Sequence, residues 1–387
     1  MRKRPGAVVD VSNVCWSKGL PPVGRKFPLL DRLFLVRDAW REQYGAGAPV
    51  GLVGDNSLLR SLLPEDRARL QRLRQDPGAE GFDEVRFVPY ADPVFLRLAR
   101  ERGRHVISSD LFTDLRRAEP WIEEQPQRVL AWSTDADDRV RLRPSAIVPL
   151  PAHRVSKAIQ VKDLKYLRLL DPDHRDQQQI LRSHWRCTAI GCDTALHWPD
   201  GLLGWPTVSS GGRAVCDCGS LLERLGPRGV TRSFVVSDAT APDLPGGLSA
   251  GEFLRFPVSV GDAVQLGRGA LRHGLNLAAK ELPSPPGVKR VSRAHLVVSL
   301  ERAGDTPQAY AVDLGSGNGT VVVRESGATR RVEPGERVAF GVDDRLVLGD
   351  AVAVRMSGQL HFTAEQTLPP DLGAGGEGTT LLGWDGA

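Results

Sequence analysis

Four aspartates raise the first chemical question. Asp10 closes the apolar run AVVD, Asp110 closes VISSD, Asp92 stands where VRFVPY gives way to the helix-like PVFLRLARER, and Asp114 follows in LFTDL. If both runs are strands of a largely parallel sheet, they end at one crevice and their carboxylates point toward it. A helix beginning after Asp110 puts Asp114 on the same face at i+4. Left alone, such a group is costly, because like charges ~4 Å apart repel by about 4 kcal/mol at an effective dielectric near 20. A hard divalent cation removes the cost. Carboxylate oxygens suit Mg2+ or Mn2+, and these ions align a water with a phosphodiester for hydrolysis. Taken singly, Asp92 also reads as a helix cap entered through Pro93, and Asp114 as a solvated helix residue.

Four sulfurs raise the second question. Cys187, Cys192, Cys216 and Cys218 form a C-x4-C and then a C-x-C arrangement. Four thiolates close a tetrahedral structural Zn2+ site, and a segment of ~40 residues with few aliphatics needs such a staple. Reducible free cysteines, or a mixed set using His184 or His197, remain open readings. Trp185, Trp198 and Trp205 lie in the same stretch, where they read as core first and as base-stacking surfaces second. Cys15 stands apart and reads as a small buried residue.

The elements that must position these groups change character along the chain. With 387 residues it exceeds one ordinary core, so two to four domains are expected. Through about residue 150, short apolar strands (GAVVDVS, APVGLVG, DEVRFVP, RHVISSD) alternate with helix-like segments, which predicts an α/β domain. Residues 151–182 read as a helical connector with Leu164, Leu167, Leu170 and Ile180 loosely spaced, and the cysteine module follows over 183–225. From 230 to 358 strands and turn signals predict an all-β sandwich. Residues 359–387, glycine- and proline-rich and acidic, read as a disordered tail.

Charge decides little: the formal net charge is +4, too small to diagnose nucleic-acid binding although it does not oppose a polyanion. Arg67, Arg69, Arg72 and Arg74 spread around a helix as a solvated face. Lysine is so scarce beside arginine that a GC-rich bacterial genome is expected. No apolar stretch reaches membrane-span length and no secretory segment is evident at the start, so the expected location is the cytoplasm, without a membrane partner.

VVDVSNVCWS, then YADPVFLRLARERGRHVISSD with LFTDL, resemble in order the motifs of PIN-like NYN-type ribonucleases over about the first 130 residues. The resemblance implies a Rossmann-like domain that cleaves RNA with Mg2+ or Mn2+, with Asp10, Asp92, Asp110 and Asp114 as metal-site acids. It also implies Asn13 as the group orienting Asp10 or a water, with Ser109 assisting. Pro93 departs from relatives that carry a further acid there. The cysteine module resembles a zinc ribbon, although neither of its spacings is the usual C-x2-C.

QLGRG, VSRAH and DLGSGNGT, followed by VEPGERVAFGVDDRLVLGD, are similar in order to the signature of a forkhead-associated (FHA) domain. That resemblance implies a β-sandwich whose loops bind a phosphothreonine protein, itself the product of a Ser/Thr kinase. Phosphothreonine carries about −1.5 to −2 charges, so its receptor needs a guanidinium and neutral donors on rigidly held loops. Arg268 and Ser292 fit those roles, and the resemblance adds Arg293 and Asn318 at the peptide and His295 as an internal brace. The segment between Arg268 and Ser292 is long for the family. Thr363, Thr367, Thr379 and Thr380 in the tail are candidate phosphosites for the chain's own FHA domain.

The expected whole is a metal-dependent endoribonuclease with a zinc-stapled middle and a phosphothreonine reader. Two alternatives stand beside it: a non-enzymatic phosphopeptide adaptor whose PIN-like domain binds RNA or protein, and a DNA-directed nuclease or toxin.

Overall fold

The computed structural model describes residues 5–23, 26–170, 175–241, 243–244, 248–249, 251–269, 273–280, 282, 287–303 and 306–361. The chain divides into two compact units that meet in sequence at Pro149 and Leu150. Among the described residues, no helix is long and apolar enough to cross a membrane.

The first unit contains β1 (Ala7–Asp10), α1 (Val11–Trp16), α2 (Asp31–Tyr44), β2 (Val50–Asp55), α3 (Leu58–Ser61), α4 (Pro64–Gln75) and β3 (Glu84–Val88). It continues through α5 (Asp92–Arg102), β4 (His105–Ile107), α6 (Trp121–Glu124), β5 (Val129–Thr134) and β6 (Val140–Pro144). The sheet runs β3-β2-β1-β4-β5-β6, with every pair parallel except β5 with β6. β1 is apolar and fully buried because it is central: Ala7 and Val9 pack in one core with Leu33, Trp40 and Leu70, while Val8 packs in the opposite core with Phe95, Leu96 and Ala99. Helices therefore cover both faces, as buried parallel strands require. The chain leaves β1 toward β2 and β3, then crosses to β4 on β1's other side. β1 and β4 thus flank the point where strand order reverses, where α/β sheets open a crevice at the strands' carboxyl ends.

Two local expectations are corrected at this edge. β4 stops at Ile107, so Asp110 lies three residues beyond the strand and does not close it. No α-helix follows Asp110 either: Phe112 takes a left-handed φ of 50°, buries its ring, and is followed by a single 3-10 turn at Thr113–Leu115. Burying Phe112 against Phe95 requires a reversal that a helix continuing from Asp110 does not supply.

The second unit begins with α7 (Ala152–Tyr166) and α8 (Arg175–Leu181), then β7 (Ser183–Arg186), α9 (Asp193–His197), β8 (Thr207–Val208), β9 (Ala214–Val215) and β10 (Glu223–Pro227). Its remaining strands are β11 (Thr231–Asp238), β12 (Asp243–Leu244), β13 (Leu248–Ser249), β14 (Glu252–Ser259), β15 (Ala263–Gly267), β16 (Gly274–Asn276) and β17 (Leu296–Ala303). β18 (Thr306–Asp313), β19 (Thr320–Val323), β20 (Thr329–Val332), β21 (Arg337–Phe340), β22 (Arg345–Leu348) and β23 (Val352–His361) complete it. Sheets β14-β11-β23-β22-β19-β20 and β16-β15-β17-β18-β21 share one core that includes Phe234, Val258, Leu266, Leu296 and Leu346.

The helical stretch expected as a connector is part of this unit's packing. His153 Nδ1 lies 2.7 Å from an Asp343 carboxylate oxygen, Gln160 donates to the Ser233 hydroxyl, and Arg255 donates to the Ser156 carbonyl at 2.6 Å. Leu164, Leu169, Ile180 and Leu181 join Cys187, Cys192, Cys216 and Leu222 in a small core, so the cysteine module borrows aliphatics from its neighbours in sequence. Leu167 is exposed. β23 runs to His361, past the expected start of the tail at 359; Thr363, Thr367, Thr379 and Thr380 lie outside the described residues.

Candidate functional site

In the first unit the site grows from the ends of β1 and β2. Asp10 is 4% exposed, and its Oδ1 accepts from the Asn13 backbone N–H at 3.1 Å, which caps α1. Its Oδ2 accepts from Ser108 Oγ at 3.0 Å. Ser108 therefore holds the acid, while Ser109, expected to assist, bonds to Asn13. Asn13 does not turn its side chain to Asp10: its Oδ1 accepts from both the N–H and the hydroxyl of Ser109, each at 2.8 Å, and so pins the loop after β4. Asp110 is oriented from within that loop, donating its N–H to Ser108 Oγ at 3.1 Å and accepting from Phe112 N–H at 3.0 Å.

Asp55 ends β2 in VGLVGD as Asp10 ends β1 in AVVD, a signal the sequence reading passed over. Its Oδ2 accepts from Ser12 Oγ at 3.2 Å and its Oδ1 from the Ala91 N–H at 2.8 Å, linking the starts of α1 and α5. Gly54 lets that strand end come close, since a Cβ there would sit 2.8 Å from the Phe87 ring and 2.9 Å from Val11. Asp92 is the first residue of α5, but Ala91 occupies the cap position and no side chain caps the helix. The capping role for Asp92 is thus excluded, and its carboxyl is left for other work.

The electrostatics place these acids in one field. Partial burial pushes Asp92 up to about 8, with added repulsion from Asp10, Asp110, Asp55 and Asp114. Burial pushes Asp10 up to about 7 despite its two hydrogen bonds, with Asp110 and Asp55 contributing. Carboxyls held this far above their ordinary value of roughly 3.9 gain from a cation that lets them ionise. Asp10, Asp55, Asp92, Asp110 and Asp114 thus share hard oxygen donors and mutual repulsion, but among the described residues no three of their carboxylates come close enough together to form a ready-made metal-ligand group.

Two of the four arginines of α4 are spent on structure. Arg69 pairs with Asp31 and Glu80 and lies over the Phe34 ring, while Arg67 donates to the Arg60 and Leu62 carbonyls. Cys15 is fully buried, and burial raises its thiol pKa.

In the second unit the four sulfurs of Cys187, Cys192, Cys216 and Cys218 lie within 4.8 Å of one another, the only such group of metal-ligand atoms among the described residues. Cys187 and Cys218 are 3.8 Å apart and Cys192 and Cys216 3.7 Å. A tetrahedron with metal–sulfur bonds of about 2.3 Å has edges of roughly 3.8 Å, so the sulfur set fits Zn2+. Neither His184 nor His197 joins it. Hydrogen bonds from the Ser220 hydroxyl and N–H bring Cys218 down to about 6, whereas burial pushes Cys187 up to about 12.

At one end of the sandwich, three loops meet. Arg268 is exposed and donates Nε to the Val291 carbonyl at 2.7 Å, which aims the guanidinium from its base. Gly267 makes this approach possible, because a Cβ there would lie 2.1 Å from the Arg293 carbonyl oxygen. Ser292 Oγ accepts from Gly317 N–H at 3.0 Å, leaving its hydroxyl hydrogen to donate. Asn318 Nδ2 donates to the Arg290 carbonyl at 2.7 Å, while Arg293 is exposed.

His295, fully buried, accepts from Ser292 N–H at Nδ1 (3.0 Å) and faces the Gly319 carbonyl through Nε2 (3.2 Å). Burial lowers its pKa, and the neutral ring makes both contacts. Asp313 collects the Thr320 and Ser316 hydroxyls at 2.6 and 2.8 Å; burial raises its pKa, but these hydrogen bonds and His295 outweigh that and hold it low.

Residues 264–349 match the family model described as FHA domain, and this part of the chain is an FHA domain. No curated protein matches the chain. Similar solved structures include full-length yeast Pml1p, 15% identical, covering 33% of this chain and 81% of that one with a TM-score of 0.24. The FHA domain of an Arabidopsis thaliana hypothetical protein is 21% identical, covering 33% and 85%, with a TM-score of 0.22. The FHA domain of human APLF, in complex with an XRCC1 bisphospho peptide, is 18% identical, covering 33% and 99%, with a TM-score of 0.21.

Proposed function

We propose that residues 5–149 form a PIN-like, NYN-type endoribonuclease domain that hydrolyses RNA phosphodiesters, and that the FHA domain brings it to a phosphothreonine protein made by a Ser/Thr kinase. One geometric observation supports the nuclease reading above the others: the Ser108 hydroxyl bonds both Asp10 and the Asp110 backbone, while Asp55 accepts from Ala91 beside Asp92, so acids from three strand ends gather at one edge of the sheet. Bound Mg2+ or Mn2+ supplies an activated water and offsets charge on the scissile phosphate. Ser108 and the Asn13 N–H fix the Asp10 carboxylate, Asp55 and Ser12 hold the start of α1, and the Asn13 side chain holds the loop that carries Asp110. No protein nucleophile is needed.

In the same reading Arg268 and Ser292 take the phosphate, Arg293 and Asn318 contact the peptide, and Zn2+ on the four cysteines is structural because a full thiolate set leaves no open position. Five cysteines outside any disulfide, four of them set for zinc, suit the reducing cytoplasm of a bacterium. The test is cleavage of labelled single-stranded RNA, beside single-stranded DNA, with Mn2+ added or omitted. Metal-dependent RNA products from the wild type and none from Asp110→Asn are expected. Equal products from both would reject the site, products from DNA alone would change the substrate, and no products at any metal concentration would favour the adaptor.

A further inference from the structure

The cysteine module carries a cavity of about 300 Å³ that neither the metal-site acids nor the phosphopeptide loops touch. Trp198, Trp205, Leu203 and Pro206 form much of its wall, and Asp193 and Asp217 add two carboxylates. Among the described residues neither carboxylate has an ion-pair or hydrogen-bond partner from its side chain, whereas nearby Asp200 faces His273. The walls are firmly held. Buried Arg228 lies over the Trp205 ring at 4.4 Å and donates to the Leu202, Leu203 and Gly204 carbonyls, each at 3.2 Å. Trp198 meets the His273 ring edge-on, and His197 Nδ1 lies 2.9 Å from the Asp193 carbonyl.

We propose that this cavity is a receptor for one basic side chain, lysine or arginine, presented by a protein partner. Aromatic faces attract cations through their quadrupole, as Arg228 already does over one face of Trp205, so the incoming cation is left Trp198 and the exposed, unpaired carboxylates at the same mouth. Cys216 also lines the cavity, and a zinc tetrathiolate carries a net charge of about −2, adding to the field. The same charges disfavour a nucleic acid, whose phosphates would approach Asp193 and Asp217. Size points the same way: ligand cavities run from about 300 to 1,000 Å³, and the low end holds a single side chain better than an extended peptide.

The test uses the full zinc-loaded chain with fluorotryptophan at its eight tryptophans, followed by fluorine NMR. Probes are acetyl-Gly-Lys-Gly-amide, acetyl-Gly-Arg-Gly-amide, the neutral acetyl-Gly-Gln-Gly-amide, and a short single-stranded RNA. Trp198→Phe and Trp205→Phe assign the two resonances. Saturable shifts confined to those two with a cationic peptide, and none with the Gln peptide, are expected. Asp193→Asn with Asp217→Asn should weaken binding by about tenfold or more, the scale of losing a close charged partner. The remaining tryptophan resonances report whether that variant folds, and each single variant carries the same test if it does not. Equal shifts with the Gln peptide, shifts with RNA alone, no shift with either cation, or unchanged affinity in the variants would each overturn the proposal.

Discussion

Ser108 Oγ donates to Asp10 Oδ2 across 3.0 Å, joining the ends of two neighbouring parallel strands that lie 98 residues apart in sequence. Because the same hydroxyl accepts from Asp110 N–H, one oxygen sets the geometry of two acids. Ser108→Ala should therefore lower RNA cleavage by about tenfold, the kinetic equivalent of about 1.4 kcal/mol, within the usual range for an orphaned buried hydrogen-bonding group. Steady-state cleavage rates at saturating Mn2+ check this. Ser109→Ala should matter less, since its backbone N–H still reaches Asn13.

Asp55→Asn tests the acid that sequence reading passed over. The amide keeps the size and one oxygen acceptor but removes a charge from the cluster. Mn2+ affinity should fall by about 10-fold or more, the scale at which groups supporting a metal site usually act. Titration calorimetry reads this directly.

Proton and metal compete at Asp10 and Asp92. Their folded values of about 7 and about 8 lie above the unfolded carboxyl value of roughly 3.9, so folding takes up protons. Their contribution to stability is full below about pH 4 and is lost as pH rises through about 8. Hydrogen exchange of β1 without divalent ions should therefore quicken between pH 5.5 and 8.5 by more than the intrinsic rate does. Saturating Mn2+ should slow it again, and more at the higher pH.

Arg268→Ala should weaken binding of a phosphothreonine peptide by roughly 1.5–3 kcal/mol, the range for a hydrogen bond to a charged group. Ser292→Ala should cost less. Gly267→Ala should cost as much as the arginine loss although it removes no donor, because the added carbon collides with the Arg293 carbonyl. Fluorescence anisotropy with phosphorylated and unphosphorylated peptides measures all three.

Much of this arrangement was legible in residue order. Alternating strands and helices gave the α/β layout, strand-ending acids gave Asp10, and the ordered FHA motifs located Arg268, Ser292 and His295. What escaped depended on three-dimensional closure. VISSD read as an unbroken strand because β propensity does not register where a partner ends, and β4 stops where its pairing with β1 and β5 runs out. The turn after Asp110 is set by burial of Phe112, a tertiary gain that outweighs the left-handed cost and is invisible to helical spacing. Choosing Ser108 over Ser109 needs the loop's closure, because both lie past the end of β4 and their hydroxyls are oriented by contacts with Asp10 and Asn13. The connector's role needed its partners, Ser233 and Asp343, which lie far along the chain.

A cation held at the carboxyl ends of β1 and β2 and at the loop after β4 is what the nuclease function most directly requires. Calorimetric titration of Mn2+ into the zinc-loaded full chain, beside Asp92→Asn with Asp110→Asn, measures it. Saturable binding in the wild type that disappears in the double variant, with phosphothreonine-peptide affinity unchanged, is the predicted result. Equal Mn2+ binding by the two proteins, or none by the wild type near pH 8, would contradict it.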